Sequence, residues 1–583
     1  MALEKDEIEA NAVENSADHE QKHAHATDFE APTQHVQELG EAQHVNLSWR
    51  TWVVVFVACF AIMAQVFVVV AAGSVIAFII RDLGDGELAG WIIEGPLLMQ
   101  SALSPMVGRL SDVVDRKYMA TIPPLIAFVG AVISAKATSM QMLVGGGILI
   151  GVTLPTIAIV QAIPSEVLPL KYRALANGFA FLGGAVGGLV GSLGSGAMTN
   201  ANPGGWRDIF WMQAALHAAT SIGLFVFYRP KQGSDYGKLT WKQVLWECDP
   251  IGSLLFVTST VLLLLALTWA GGAYAWSEAH VAAPLTIGLV LLVGFGLYEW
   301  KGRTDGMVTH AFFKGSPNFA LSVFAFAVEG WLFYSAVNSI TPQIVLNLGF
   351  ENNAWDISIR QLSYQLLTLF VSIPIMLYST YYKDLKSPLL VTFTIFLAVT
   401  ICYANISPSM SKAQYGFNVL SGIGQSGPLT LLVACVQFTA PHAYLSTATG
   451  LAFSARAIGG SFGTAVLFAI TNSKLGNTYA RKVGNAAVAA GLPESSVSAL
   501  LEAFGSGAGF DEVPGANADV MLAATDASHW AYTRAYRLAW WSIFPFVVVA
   551  IVAVACLKGV KELMTEKVEA TVENVAREES VKV

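Results

Sequence analysis

The chain has 583 residues, 54% of them hydrophobic and only 13% charged, with a formal net charge of -8 and a positive mean hydropathy. That balance excludes a soluble multidomain enzyme and defines a polytopic membrane protein. Cys59, Cys248, Cys402, Cys435 and Cys556 stand singly in or beside apolar segments, which argues against a disulfide framework or a metal site, and no basic stripe suited to nucleic acid is present.

Residues 1–48 are polar and rich in Glu, Ala and His, without the basic start, short apolar core and small-residue cleavage site of a signal peptide. They read as a disordered cytoplasmic tail, in which the irregular spacing of His19, His23, His25, His35 and His44 favours solvation over metal binding. From Thr51 onward, apolar stretches near the ~20 residues that a helix needs to cross hydrocarbon alternate with short polar breaks. Fourteen are centred on 59–70, 91–106, 122–134, 144–159, 179–195, 211–225, 254–267, 285–297, 320–334, 362–377, 389–402, 417–436, 449–470 and 540–556. Barrel strands are only about ten residues long and alternate in polarity, so the expected fold is an all-α polytopic membrane protein with 14 transmembrane helices. The break after the sixth span divides the chain into a first six-helix half (49–230), a linker with an inserted helix pair (231–300), a second six-helix half (301–558) and a cytoplasmic tail (559–583).

With the amino end inside, the short inner loops collect Arg109, Arg116, Lys117, Lys171, Arg173, Arg229, Lys231, Lys238, Lys242, Lys301, Arg303, Lys314, Lys383 and Lys386. The short outer loops hold only scattered cations such as Arg81, Arg207 and Lys412. This asymmetry puts both termini inside. It leaves 472–535 as a long extracellular loop, whose Lys474, Arg481 and Lys482 carry little topological weight because long loops translocate largely regardless of charge.

The stretch Gly108-Arg109-Leu110-Ser111-Asp112-Val113-Val114-Asp115-Arg116-Lys117 puts five charges into ten residues between two apolar runs. Glycine permits a close helix approach, Asp112 suits a helix N-terminus or a cation, and Arg116 and Lys117 mark an inner loop. The spacing G-x-L-x-D-x-x-x-R-K resembles the loop between the second and third helices of major facilitator superfamily transporters, with Asp115 where the family form carries glycine. Further stretches resemble its fourteen-helix drug:proton antiporter branch, and within that the fungal trichothecene-efflux-pump and siderophore-transporter group. They are Glu166-Val167-Leu168-Pro169-Leu170-Lys171-Tyr172-Arg173, Gly205-Trp206-Arg207-Asp208-Ile209-Phe210, Asp249-Pro250-Ile251-Gly252, and Trp269-Ala270-Gly271-Gly272 with Trp276, His280-Val281 and Leu297-Tyr298-Glu299. The chain departs from the branch at Gln65, where an aspartate is expected, at 142–147, where many exporters open the fourth helix with arginine, and at Ser192, where the fifth-helix signature has proline. The resemblance implies inverted three-helix repeats around a midplane site, with Gly108, Asp112, Arg116 and Lys117 as a gating motif.

An ionisable residue inside a span costs ~2.5–3.5 kcal/mol by insertion scales, so Glu94, Glu329 and Arg456 are the proton-coupling candidates, set against structural ion pairing or snorkelling. His217 reads as a hydrogen-bonded core histidine. Gln65, Gln161, Trp331, Tyr334, Tyr364 and Gln425, with Gln100, Gln365 and Phe453, suit a cavity for a bulky, oxygen-bearing substrate. The glycines of 183–191 and 459–463 suit tight packing or a rocking interface between the halves. The expectation is a proton-coupled exporter of a bulky organic compound, such as a secondary metabolite or mycotoxin, in the plasma membrane or alternatively a vacuolar or vesicle membrane. Its partners are a small organic substrate, protons and the lipid bilayer, with the proton gradient as energy source and no cofactor, no metal and no obligate protein partner. Proton-driven uptake of ferric siderophores and a non-transporting membrane receptor are the alternatives. An enzyme is not expected, since no nucleotide loop, metal cluster or nucleophile motif is present.

Overall fold

The computed structural model describes residues 49–74, 79, 82–83, 91–114, 116–201, 204–229, 240–270, 274–314, 316–351, 354–476, 478–506 and 509–564. The tail expected over 1–48, most of that over 559–583, and Arg81, Asp115, Lys231, Lys238, Gly271 and Gly272 lie outside the described residues. The first half contains α1 (Trp49–Ser74), α2 (Trp91–Val113), α3 (Arg116–Ala135), α4 (Met140–Gly151), α5 (Ile157–Val167), α6 (Arg173–Ala201) and α7 (Trp206–Phe227). A short helix α8 (Trp241–Glu247) precedes the inserted pair, α9 (Pro250–Trp269) and α10 (Ala279–Leu297). The second half contains α11 (Asn318–Gly330), α12 (Thr341–Asn347), α13 (Ala354–Tyr382), α14 (Lys386–Tyr403), α15 (Ser411–Thr439), α16 (Leu445–Gly476), α17 (Tyr479–Ala489), α18 (Val497–Ser506) and α19 (Ala518–Ala555).

Among the described residues, thirteen segments are long and apolar enough to cross a membrane. The remaining expected span is α2, long enough at 23 residues but diluted by Glu94, Gln100, Arg109 and Asp112, so the count of fourteen rests on that helix. Two spans are interrupted. α4 and α5 form one span broken around Pro155, which lacks an N–H to continue the ladder. Gln65 repairs the break by donating from Nε2 to Thr153 O and to Thr156 Oγ1, both at 3.0 Å. Such repair is obligatory where no water can satisfy the backbone. α11 and α12 are joined by a π-helical segment, Trp331–Ile340, whose wide turns are covered by Asn338 Nδ2 donating to Phe333 O (2.6 Å) and Thr341 Oγ1 donating to Ala336 O (3.0 Å).

Inside each half, glycines set close helix contacts. A Cβ at Gly183 or Gly187 would collide with the backbone of Cys59 or Met63, welding α6 to α1. One at Gly459 or Gly330 would collide with the backbone of Ala327 or Arg456, welding α16 to α11. The expectation that these series form a rocking interface between the halves is therefore corrected: they make each half rigid.

The inserted pair packs mainly on itself, and its apolar windows are only 39% and 17% buried. Asp249 begins it in a left-handed conformation (φ 50°), uncommon for a residue with a side chain. Its fully buried carboxylate accepts from Gly252 N (3.0 Å), Tyr298 Oη (3.1 Å) and Met307 N (3.2 Å). Pro250 fits the first helical position, and a Cβ at Gly252 would strike the Asp249 carboxylate, which explains the D-P-I-G sequence locally.

The segment 472–535 is not a loop. α16 and α19 extend beyond the apolar runs and, with α17 and α18, enclose a separate core of Val483, Ala487, Leu492, Leu500, Ala503, Val513, Val520 and Ala524. Its helices are apolar on one face only, so a search for continuous apolar stretches passes over them.

Gly459→Leu should cost more than the ~1–3 kcal/mol typical of overpacking, because it forces backbones apart. It should eliminate monodisperse protein on size-exclusion chromatography, whereas Gly416→Ala, with nothing within 4 Å of the new Cβ, should purify like wild type. A wild-type yield for Gly459→Leu would contradict the packing described.

Candidate functional site

The face carrying the cationic loops, here called the basic face, is where α2 of the first half meets α16 of the second. A Cβ at Gly108 would collide with Ser446 O, and one at Gly450 with Ser104 O. Ser454 Oγ donates to Ser101 O at 2.5 Å. At the end of this seam Asp112, 4% exposed, caps α16 from the opposite half. Its Oδ1 accepts from Ser446 N (3.1 Å), and its Oδ2 accepts from Thr447 N (2.8 Å) and Thr447 Oγ1 (2.7 Å). Negative charge is favoured at a helix N-terminus, where backbone N–H groups lack intrahelical acceptors. Arg116 holds the carboxylate at 2.7 Å, pairs with Glu166, and donates to His442 O at 3.3 Å. Of the four motif residues, Gly108, Asp112 and Arg116 converge here, while Lys117 stacks on the Phe225 ring of α7 at 4.6 Å and lies off the seam.

A second tie between the halves, which sequence reasoning missed, centres on Gln437 of α15. Its Oε1 accepts from Ser165 Oγ (2.7 Å) and Asn177 Nδ2 (2.9 Å), and its backbone oxygen accepts from Arg173 Nη1 (2.7 Å). The available signal was Arg173 and Asn177, one helical turn apart at the start of the long α6. Arg109, fully buried, was likewise missed. It donates to Glu247 O (2.9 Å), Glu247 Oε2 (3.2 Å) and Asp305 O (3.4 Å) and lies 4.5 Å from the Tyr444 ring, fastening the segments that flank the inserted pair to the seam. Burial pushes the Glu247 carboxyl above its usual range, against the pull of Arg109.

Beyond these ties lies a cavity with about 1280 Å³ of atom-free space, including its open mouth, lined from both halves. It follows α1 from Ile62 to Val70 and reaches Asn338 of the π segment. Its wall is largely apolar, with Ile62, Val66, Phe181, Phe326, Phe333 and Phe453, and Gln65, Gln100, Gln161, Tyr334, Tyr364, Gln365 and Arg456 contribute its polar groups. Gln161 Nε2 donates to Asn177 Oδ1 (2.7 Å), which links the wall to the Gln437 tie.

Arg456 and Glu329, 127 residues apart in sequence, are paired at this wall. Arg456 Nε donates to Glu329 Oε2 at 2.5 Å and Nη2 to Oε1 at 3.2 Å. Glu329 is fully buried, and its Oε1 also accepts from Gln425 Nε2 at 3.4 Å. Gln425 Oε1 in turn accepts from Tyr364 Oη at 2.9 Å, and Arg456 Nη1 donates to Tyr334 Oη at 3.1 Å. A buried pair is sustained by such satisfied geometry.

Three expectations are corrected by these positions. Glu94 sits in the first turn of α2, exposed and not on the cavity wall. Trp331 is 4% exposed and is held among the rings of Phe546 and Phe462 at 4.5 and 5.6 Å, at the residue where the π segment begins. Gln425 stands behind Tyr364 as its acceptor and does not line the cavity. His217 is buried in α7, and its Nε2 lacks the hydrogen bond expected of it.

The same architecture occurs in solved major facilitator transporters. The proton:xylose symporter XylE aligns with a TM-score of 0.50 at 12% identity, covering 85% of this chain and 96% of that one. A bacterial homologue of the iron transporter ferroportin, in an outward-facing state, aligns with a TM-score of 0.50 at 9% identity, covering 87% and 99%. The fold is thus that of the major facilitator superfamily. The profile of the fungal trichothecene efflux pump (TRI12) family matches residues 12–580, and the chain belongs to that family. Among its relatives, the trichothecene efflux pump TRI12 of Fusarium sporotrichioides is 24% identical over 524 residues, covering 87% of this chain and 86% of the relative. The MFS-type transporter prx5 of Penicillium rubens is 24% identical over 525 residues, covering 89% and 93%.

Asp112→Ala removes the three hydrogen bonds to α16 and the one from Arg116 and leaves two N–H groups of α16 unpartnered, at about 1–3 kcal/mol for each buried group. The purified variant should melt several degrees below wild type, and Asp112→Asn, which keeps one acceptor, should fall between them. Equal melting temperatures for all three would show that the cap does not hold the halves.

Glu247 holds its proton to a higher pH folded than unfolded. Its stabilising contribution is therefore complete at low pH and lost as pH rises through the raised value. Glu247→Gln, permanently neutral, should gain in melting temperature relative to wild type as the pH is raised above the ordinary carboxylate range. A difference that does not vary with pH would contradict the assignment.

Proposed function

We propose that this protein exports a bulky, largely apolar organic compound of the secondary-metabolite class from the cytoplasm across the plasma membrane, in exchange for protons, by alternating access. The basic face is cytoplasmic by the distribution of cations, so the seam is a closed inner gate, the cavity opens outwards, and the folded cap of α17 and α18 lies outside. The observation that carries this reading is the buried Glu329–Arg456 pair, whose Arg456 lines a cavity shared by the two halves.

Protonation of Glu329 removes its charge and ends its pairing with Arg456, which frees the guanidinium, Tyr334 and Gln425 to rearrange. A low-dielectric site makes that single proton a large local change. Because Tyr334 and Arg456 also line the cavity, proton loading and substrate occupancy act on the same side chains, as exchange requires. The relative named as a trichothecene efflux pump supports outward direction and substrate class alike. Glu94, exposed and away from the cavity, is given no coupling role.

In cells lacking their own pumps, the wild-type protein should lower the internal level of a toxic sesquiterpenoid and raise tolerance to it. Glu329→Gln should reach the membrane at normal levels yet lose proton-driven export by at least about tenfold, a barrier change near 1.4 kcal/mol, whereas Glu94→Gln should export normally. Growth restored on ferric siderophore as sole iron source, with no change in toxin tolerance, would move the assignment to uptake. Normal export by Glu329→Gln would place coupling elsewhere.

A further inference from the structure

Gln65 is 3% exposed, lines the cavity from the first half, and has its amide orientation fixed by its neighbours. Thr153 O can only accept, and the Thr156 hydroxyl proton is already given to that same oxygen at 2.6 Å. Both groups therefore face Gln65 as acceptors, and both are met by Nε2 at 3.0 Å. The amide nitrogen must point into the broken span, which leaves Oε1 on the other side, enclosed and without any donor. An acceptor buried without a partner is destabilising, and repair of the helix break, which uses only the nitrogen, does not account for it.

On the second half the complementary group is spare. Tyr334 Oη accepts from Arg456 Nη1 at 3.1 Å, and arginine cannot take a proton in return, so the tyrosine hydroxyl proton remains to be donated. The cavity charge is meanwhile internally balanced, because Arg456 is matched by Glu329 at 2.5 Å. Nothing in the wall then calls for an ionic ligand, and the phenylalanines favour an apolar body.

We propose that Gln65 is a specificity-determining residue of this transporter, whose Oε1 reads a hydroxyl donor on a neutral, apolar-bodied substrate, while Tyr334 Oη donates to a separate carbonyl or ether oxygen of the same molecule. The ligand is held by one hydrogen bond to each half, so its presence is felt by both rigid bodies. A site built to pair with a hydroxyl rejects the analogue lacking it, since its own buried group is then left unpaired. This inference rests on the cavity being the substrate site, as proposed above.

The test is equilibrium binding to the purified full-length protein of a panel of neutral monohydroxylated sesquiterpenoids, each bearing one carbonyl or ether oxygen, and their deoxy counterparts. Wild type should favour the hydroxylated member of at least one pair by about tenfold or more. Gln65→Leu should shrink that ratio below about threefold, and Gln65→Lys, which still donates to Thr153 O and Thr156 Oγ1 but has no acceptor, should shrink it likewise. Tyr334→Phe should weaken both members by similar factors and leave the ratio unchanged. A helix-repair role alone would alter affinity for both members together and leave the ratio intact. The proposal is overturned if wild type binds no pair, binds both members of every pair equally, or discriminates as strongly after Gln65→Leu. If Gln65→Leu does not fold, Gln65→Lys remains decisive, and a wild-type ratio in that variant sinks the idea. Because binding is read without a gradient, an absence of export beside a preserved hydroxyl ratio would condemn the export reading alone.

Discussion

The interaction on which the architecture depends is the contact of the buried Asp112 carboxylate with the N-terminus of α16. A carboxylate removed from water is tolerated only while donors surround it, and here those donors are the N–H groups of Ser446 and Thr447, the Thr447 hydroxyl and Arg116. All but Arg116 belong to the other half. They come within reach only because Gly108 and Gly450 let α2 and α16 approach backbone to backbone. The arrangement is conditional: separation of the helices exposes the carboxylate and the helix end to water, which satisfies both. A contact replaceable by water on one side of its motion is suited to a gate that opens and closes without large net cost.

The contrast between contacts inside and across the halves gives this gate its mechanical meaning. Inside each half, α1 with α6 and α11 with α16 are locked by glycines whose neighbours leave no room for a side chain. Across the halves, Ser101, Asp112, Ser165, Arg173, Asn177 and Gln437 take part in hydrogen bonds, which are directional and exchangeable with water. Packed cores change between discrete arrangements and do not deform continuously. Motion is thereby directed to the polar interface, and the cavity lies where that interface widens. Arg109 extends the same logic to the insert, since its bonds to Glu247 and Asp305 attach α8 and the segment after α10 to the gate itself.

Much of the fold was legible in the sequence because a bilayer demands long apolar runs, and these survive as α-helices over nearly every expected span. The cap was not legible as structure, because Val483, Leu500 and Val520 form an apolar face and not an apolar run. Glu329 and Arg456 stood out as rare charges within spans, but their pairing across 127 residues and the detour through Gln425 and Tyr364 are properties of the packed bundle. Trp331 was misplaced for a definite reason. An α-helical repeat puts it beside Tyr334, whereas i→i+5 bonding in the π segment rotates the positions that follow. The motif around Gly108 marked residues that meet at the seam between the halves, yet Gln437, equally central, belongs to no spacing pattern that would single it out.

The central claim, that the basic-face seam and the cavity mouth open in opposition, is tested most directly by pulsed electron paramagnetic resonance distances between spin labels on the two halves. One pair would replace Lys171 and Tyr382 near the basic face, and the other would replace Asp208 and Lys412 at the opposite end. On moving from the closed-seam state to the substrate-loading state, the first distance should lengthen while the second shortens. Two distances that change in the same direction, or neither changing while transport proceeds, would contradict the account.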